Sequence, residues 1–238
     1  MQSYNVTLTL DSNTLAQIQA NKWVLQAFMG AQSDATGTPV VWNALNVFSS
    51  SNSITWTPQY GAYYAQTIPA SGAVIVETTA TGSIDLGQAL VLNSDGSSAV
   101  QSGPSPTSFT FINNNNGEWG CGLTSVNSSG QSVPNCLFNS FPTADVLIEP
   151  LQILLLEFVQ MPVIVGSVVE ETISASVTII MSPTTQQQTT VSFDIISGWN
   201  FGSNPNVTIN EPNVELAPLL YPPAQAARSS AKKAAAYK

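Results

Sequence analysis

The sequence contains no histidine among its 238 residues. This absence excludes Ser-His-Asp triads, histidine metal ligands and the side chain that most often serves as a general acid or base. The sequence also lacks a G-x-S-x-G motif, a phosphate-binding glycine loop and a Cys-x-x-Cys pair. We therefore predict a protein that is not an enzyme and that requires no cofactor or metal. A carboxylate-based hydrolase is the remaining catalytic alternative, because 14 acidic residues are present.

Charged residues make up only 8% of the chain, and the basic ones are concentrated at its end. Four of the five basic residues lie in the last eleven positions, so residues 1–227 carry a single base, Lys22, and a formal charge of −13. A body with one cation forms few ion pairs, so apolar burial and neutral hydrogen bonds must stabilise it. An acidic body also argues against nucleic acid as a partner.

Alternation of apolar and polar residues dominates the sequence. In residues 3–10, Tyr4, Val6, Leu8 and Leu10 alternate with polar residues, which is typical of a half-buried strand. The same pattern and short apolar runs predict further strands at 23–29, 40–48, 54–57, 73–78, 84–92, 109–113, 146–158, 163–181, 189–196 and 207–210. Fifteen glycines and fifteen prolines lie largely in polar clusters between these segments, which is typical of turns.

The fold class follows from these segments. Residues 11–22 begin with a helix-capping aspartate and predict one short N-terminal helix. We predict an all-β protein, with a single-domain antiparallel β-sandwich over residues 1–217 and a flexible Pro/Ala-rich basic tail at 218–238. The basic part of this tail either docks on an acidic neighbour or a negatively charged membrane, or is a solvated terminus.

The N-terminus shows no secretory signal, because residues 1–10 alternate instead of forming a continuous apolar run. The polar composition nevertheless predicts an extracellular protein without a recognisable classical signal peptide. Glycosylation acceptor patterns begin at Asn5, Asn127 and Asn206, but such patterns arise easily where Ser, Thr, Asn and Gln together number 86.

Two cysteines, Cys121 and Cys136, bracket a polar stretch of the chain that we expect to be a loop. A disulfide between them would stabilise the fold by about 3 kcal/mol in the chain-entropy model. Two free, buried thiols are the alternative, and the sequence does not separate the two states.

Among the carboxylates, Glu157 lies inside the apolar segment 153–159, so burial is expected to raise its pKa. The alternatives are that it faces solvent or accepts backbone hydrogen bonds. The segment 93–98, with the sequence NSDGSS, begins like a calcium loop but lacks the later bidentate acid, so we interpret it as a turn.

An aromatic cluster, formed by Trp56, Tyr60, Tyr63 and Tyr64, is the strongest candidate for a binding site. Tyr and Trp have apolar bodies and polar tips that suit sugar stacking or a membrane interface. A proline and a glycine in the same stretch indicate a loop that presents the rings outward. The cluster resembles the exposed aromatic patches of lipid-binding β-sandwich toxins. The alternative is that the rings serve only packing.

Residues 172–196 form two alternating apolar segments around a polar turn. Such a pair is what a membrane-inserting β-hairpin requires, and it is equally typical of two strands in a soluble sandwich.

From these features we predict a non-enzymatic protein that recognises a glycan or a lipid on a cell surface. It is lectin-like or toxin-like, it forms homo-oligomers, and it forms pores if the hairpin inserts. The alternative is a self-assembling structural subunit of a pilus, capsid, fibre or crystalline inclusion. Low charge and Thr/Gln/Asn-rich loops favour close approach of identical copies.

Overall fold

A computed structural model describes residues 2–66 and 70–222. Within these ranges the chain is mostly β, which confirms the predicted all-β class. The strands are β1 (Tyr4–Leu10), β2 (Val24–Ser33), β3 (Gly37–Thr38), β4 (Val41–Leu45), β5 (Ser51–Trp56), β6 (Tyr60–Ala65), β7 (Thr79–Ile84), β8 (Gln88–Leu92), β9 (Ser98–Ser102), β10 (Phe109–Asn113), β11 (Trp119–Val126), β12 (Ser132–Pro134), β13 (Leu137–Ser140), β14 (Asp145–Val159), β15 (Ser176–Ile180), β16 (Gln188–Asp194), β17 (Gly198–Asn200) and β18 (Val207–Asn210). The helices are α1 (Ser12–Ala20) and α2 (Ala217–Leu220).

The strands form three hydrogen-bonded sheets. The first sheet has the order β17-β16-β1-β5. The second has the order β18-β15-β14-β10-β8-β9, and β2 and β4 extend it from the other edge of β14. The third has the order β3-β13-β11-β6-β7, with β12 also paired to β11. The prediction of a purely antiparallel protein is wrong for two pairs, because β1 runs parallel to β16 and β8 runs parallel to β10.

The N-terminal elements follow from their local sequence. In β1 the four alternating apolar residues are buried and the polar residues between them are half-buried, as alternation predicts. The predicted helix is confirmed as α1. Its N-cap is Asp11, whose side chain accepts a hydrogen bond from the backbone N–H of Thr14 at 2.9 Å.

The 15-residue strand β14 links two hydrophobic cores. The first core combines side chains of the first sheet with Leu154, Leu156 and Phe158 from β14. The second core combines side chains of the third sheet with Val146 and Ile148 from the same strand. On the opposite face of β14, helix α2 forms a smaller apolar cluster. The two ends of one strand therefore belong to different cores.

Several sequence predictions need correction. Residues 172–196 do not form a hairpin, because β15 lies in the second sheet while β16 lies in the first. The predicted strand at 163–181 is confined to β15, and the strand expected at 73–78 lies instead at β7. The polar stretch between the cysteines, expected to be a loop, contributes to β11 and β12. The interpretation of residues 93–98 as a turn is confirmed, since the turn between β8 and β9 occupies this segment.

At the C-terminus, the predicted boundary at residue 217 falls inside packed structure. Leu216 and Leu220 are fully buried in the α2 cluster, and the ring of Tyr221 lies 5.0 Å from that of Phe138. Apolar burial therefore holds the chain at least as far as Tyr221. The rest of the predicted tail, residues 223–238, lies outside the described residues. Within the described part of the chain, neither helix has the length and apolar character needed to span a bilayer.

Glu157 lies in the middle of this architecture with its side chain fully buried. Its Oε1 accepts hydrogen bonds from the backbone N–H groups of Ile173 at 2.6 Å and Ser174 at 2.7 Å. Its Oε2 accepts one from the amide of Gln26 at 2.7 Å. Burial raises the pKa of Glu157, and these donors partly oppose that shift. The carboxylate therefore fixes the connection between β14 and β15 by satisfying its backbone.

We expect Glu157→Gln to fold and to be at least as stable as the wild type at neutral pH. The amide keeps an acceptor for Ile173 and Ser174 and removes a buried charge, and a rotation of the Gln26 amide restores the third bond. Because the folded-state pKa of Glu157 is raised above its ordinary value of 4.5, the wild type gains stability from this group as pH falls. The advantage of Glu157→Gln in urea unfolding should therefore shrink from neutral pH towards 4.5.

The matched variant Glu157→Ala leaves both backbone N–H groups without an acceptor. We expect it to lose roughly 2–5 kcal/mol of unfolding free energy. Equal stability of the alanine and glutamine variants at neutral pH would contradict this role for the carboxylate.

Candidate functional site

A surface cavity of about 400 Å³ lies where the second and third sheets meet. Four chain segments contribute to it: the β5–β6 connection with the start of β6, the end of β7 with the β7–β8 connection, the start of β10, and the middle of β14. The lining residues are Pro58, Gln59, Tyr60, Ser83, Ile84, Asp85, Leu86, Phe109, Pro150 and Gln152. This volume is within the range of small-ligand sites, at roughly 300–1,000 Å³.

A bulge in β14 brings Gln152 to the cavity. Pro150 pairs with Ala31 and Leu154 pairs with Met29, so three residues of β14 oppose the single residue Gly30 of β2. A Cβ atom at residue 30 would lie 2.6 Å from the Cβ of Ile153, so glycine allows the bulge to approach closely. Bulges of this kind commonly redirect a side chain next to a functional site.

Hydrogen bonds with two aromatic residues fix the side chain of Gln152. Its Oε1 accepts a bond from the indole Nε1 of Trp56 at 2.9 Å, and its Nε2 donates to the hydroxyl of Tyr60 at 3.3 Å. Nε2 therefore keeps one N–H for a ligand, and the Tyr60 hydroxyl keeps its own proton. Burial raises the pKa of Tyr60 to about 12, so this hydroxyl is a donor at neutral pH.

The cavity combines apolar and polar walls. The ring of Phe109 packs edge-on against that of Tyr60, with centroids 5.5 Å apart. Gln59 and Ser83 add neutral donors and acceptors, and Asp85 is the only ionisable carboxyl group in the lining. The lining contains no basic residue. Such a site can bind a small, uncharged, hydroxyl-bearing molecule, whereas it disfavours an anion.

The predicted aromatic site is not an exposed patch. Trp56 is 4% exposed and Tyr60 is 9% exposed, while Tyr63 and Tyr64 are fully buried. The expectation that a loop presents these rings outward is wrong, because β5 and β6 form regular strands paired within their sheets. The structure does bring Trp56 and Tyr60 together, through Gln152. It separates them from Tyr63, whose hydroxyl donates to the carbonyl of Cys136 at 2.8 Å.

The sequence reasoning missed Gln152 and the β7–β8 connection. Pro150 and Gln152 interrupt the apolar pattern of β14, and such an interruption is the pattern that indicates a bulge. Asp85 and Leu86 carry no comparable sequence feature, since they resemble any turn before an apolar strand. Their position at the cavity depends on the pairing of β6 with β7.

The three glycosylation acceptor patterns occupy structured sites. The side-chain oxygen of Asn127 accepts hydrogen bonds from two backbone N–H groups of its own turn, and this residue is only 4% exposed. The amide of Asn206 donates to Gln186 at 2.7 Å. Asn5 lies between neighbouring strands in β1. Because Asn127 is nearly buried, a glycan on its Nδ2 would require this turn to open.

The two cysteines are free, buried thiols in this structure. Cys121 pairs with Phe138 across β11 and β13, and the backbone N–H of Leu123 donates to the sulfur of Cys136 at 3.4 Å. Both side chains belong to the second core. Burial raises the pKa of Cys121 well above its ordinary value and that of Cys136 to about 12. A buried, protonated thiol is a poor nucleophile.

We therefore expect the native protein to react very slowly with a water-soluble disulfide reagent such as DTNB. Unfolding in guanidinium without reductant should then release two equivalents of reactive thiol, because both sulfurs become exposed as free groups. The measurement is the absorbance of the released thiolate. Unfolded protein that shows no reactive thiol until a reductant is added would demonstrate a disulfide instead.

Comparisons of the chain with protein-family models, with curated proteins and with solved structures give no match. The cavity at Gln152 and its chemistry are therefore the basis for the function proposed below.

Proposed function

We propose that this protein is a non-enzymatic, lectin-like protein that binds a neutral sugar of a cell-surface glycan in the cavity at Tyr60 and Gln152. The observation that carries this proposal is the fixed orientation of Gln152. Its amide is held by Trp56 and Tyr60, so a donor faces the cavity without further ordering. Preorganised donors reduce the entropy lost when a ligand binds.

We further propose that the three sheets pack as two β-sandwiches that share β14. The first core supports this arrangement, because it mixes side chains of the first and second sheets. The second core supports it in the same way for the second and third sheets. Tyr60, Phe109 and Gln152 lie on strands, and a side chain on a strand is held more accurately than one on a loop, which suits recognition of a small ligand.

The charge of the cavity favours neutral sugars over acidic ones. Asp85 contributes a negative charge, and the described lining residues include no basic side chain. Sialic acid or a sulfated sugar would therefore meet repulsion from this lining without a compensating cation in it. A hexose instead offers hydroxyl groups to Gln59, Asp85 and Gln152, and its apolar ring edge to the proline and aromatic walls.

A Tyr60→Phe variant tests this site. We expect its affinity for a neutral oligosaccharide to fall roughly five- to tenfold, because one hydrogen bond to the ligand is lost while the ring still fills its place. A glycan array of neutral and sialylated oligosaccharides identifies a ligand for the wild type, and isothermal titration then measures both proteins.

Tyr64→Phe is the matched control. The Tyr64 hydroxyl donates to the carbonyl of Leu90 at 3.3 Å, away from the cavity lining, so its loss should leave sugar binding unchanged. Equal effects of the two variants, or binding restricted to sialylated glycans, would contradict the proposed site.

A second candidate function is that of a self-assembling structural subunit. The observation that favours it is β9, an edge of the second sheet whose side chains are mostly exposed. Its sequence, SAVQS, contains no lysine, proline or acidic residue to oppose strand addition. A second copy could therefore extend the sheet through backbone hydrogen bonds.

For this second candidate we expect Val100→Lys, in β9, to abolish any oligomer seen by light scattering after size-exclusion chromatography. A charged side chain on an edge strand opposes addition of a further strand. Val126→Lys is the matched control, because Val126 is similarly exposed but its strand is flanked by β6 and β12. A monomeric wild type, or dissociation of both variants alike, would contradict assembly through β9.

A further inference from the structure

Residues 113–116 are four consecutive asparagines, and Gly117 follows them. The first ends β10, and the other three lie in the connection from β10 of the second sheet to β11 of the third. An asparagine followed by glycine is the pair that deamidates most readily without an enzyme, because glycine has no side chain to shield its backbone nitrogen from the asparagine amide. Asn116 and Gly117 form the one such pair in the sequence.

Hydrogen bonds hold the side chains of two of these asparagines. Asn113 is fully buried, and its Nδ2 donates to the carbonyls of Gly117 and Ser140, each at 3.0 Å. The Oδ1 of Asn115 accepts hydrogen bonds from the backbone N–H of Gly117 at 3.0 Å and from the indole Nε1 of Trp119 at 3.3 Å. Side-chain amides held in this way are not free to meet the backbone nitrogen of the following residue.

Asn114 and Asn116 are exposed, and their side chains form no hydrogen bond with the residues that the structure describes. They differ in the residue that supplies the attacking nitrogen. For Asn114 this residue is Asn115, whose side chain crowds the nitrogen and whose N–H donates to the buried Asn113 at 2.9 Å. For Asn116 it is Gly117, which has no side chain and whose N–H donates to the half-buried Asn115. Of the four asparagines, Asn116 therefore has the fewest obstacles to reaction.

We propose that Asn116 is a site of spontaneous deamidation in the folded protein. The backbone nitrogen of Gly117 attacks the side-chain Cγ of Asn116, and the C–N bond that forms closes a succinimide ring. The proton of that nitrogen passes to the departing amide, which leaves as ammonia. Water then adds to one of the two ring carbonyls and breaks its C–N bond, which gives aspartate or isoaspartate. No electron is transferred, and water is the only co-reactant.

The reaction changes the connection between the two sheets. Either product adds a negative charge two residues before the exposed Glu118. An isoaspartate also lengthens the main chain by a methylene group directly before Gly117, whose carbonyl accepts the hydrogen bond from the buried Asn113. The deamidated connection therefore loses part of the geometry that ties it to the second core.

The test is incubation of the native full chain in mildly alkaline buffer, followed by rapid chymotrypsin digestion and mass spectrometry. Cleavage after Phe111 and Trp119 releases one peptide that contains all four asparagines. Electron-transfer fragmentation identifies which of them has gained a carboxyl group and separates isoaspartate from aspartate. We expect conversion at Asn116 to be roughly tenfold or more faster than at Asn114, an exposed internal control in the same peptide. The rate should rise with pH, because the attacking nitrogen must lose its proton.

Gly117→Ala should slow the conversion roughly tenfold, because a Cβ atom shields the attacking nitrogen. This Cβ would lie 3.3 Å from Asn115 Oδ1, which a small shift of that side chain accommodates. Gly82→Ala is the matched control, since a Cβ there has no atom within 4 Å, and its rate should equal that of the wild type. Asn116→Gln should yield a peptide without the added carboxyl group, because the longer side chain closes a ring far more slowly.

Circular dichroism checks that each variant folds. Equal conversion at Asn114 and Asn116, or conversion that occurs only when the chain is first unfolded in urea, would overturn the proposal. An Asn116→Gln peptide that gains a carboxyl group as fast as the wild type would overturn it as well, as would equal rates in Gly117→Ala and Gly82→Ala.

Discussion

The structure depends on β14, a single strand that serves two hydrophobic cores. Its first residues pair with β10 and contribute to the second core, whereas its last residues pair with β15 and contribute to the first core. The bulge opposite Gly30 lies between these two parts. The bulge adds two residues to β14, so the alternation is kept: the even-numbered Val146 and Ile148 before it and Leu154 and Leu156 after it all face a core. The same bulge brings Gln152 to the cavity, so the strand that serves both cores also positions the candidate site.

The scarcity of cations determines how polar groups are satisfied inside this fold. An internal carboxylate is normally paired with a basic residue, but residues 1–227 contain only Lys22. Glu157 is instead surrounded by N–H donors from the backbone and from Gln26. Elsewhere, amide side chains take the same role, as Asn210 does by donating to Ser176 and Thr178 between β18 and β15. Hydrogen-bond networks without basic residues demand correct geometry, because a buried polar group without a hydrogen-bond partner lowers the stability of the fold.

Elements that depend on the local sequence pattern were predicted correctly, whereas features that depend on which strands pair were missed. Alternation in β1 and the capping of α1 are local, and both predictions are confirmed. The segment 172–196 shows two alternating strands, but no local feature indicates that β16 pairs in parallel with β1, nearly two hundred residues away. For the candidate site, the sequence identified Trp56 and Tyr60, but it placed Trp56 in a strand and Tyr60 in a stretch expected to be partly loop. Tyr60 packs against Phe109, and its hydroxyl accepts a hydrogen bond from Gln152 at the bulge. Both partners are distant from Tyr60 in sequence, so neither contact follows from the residues around it.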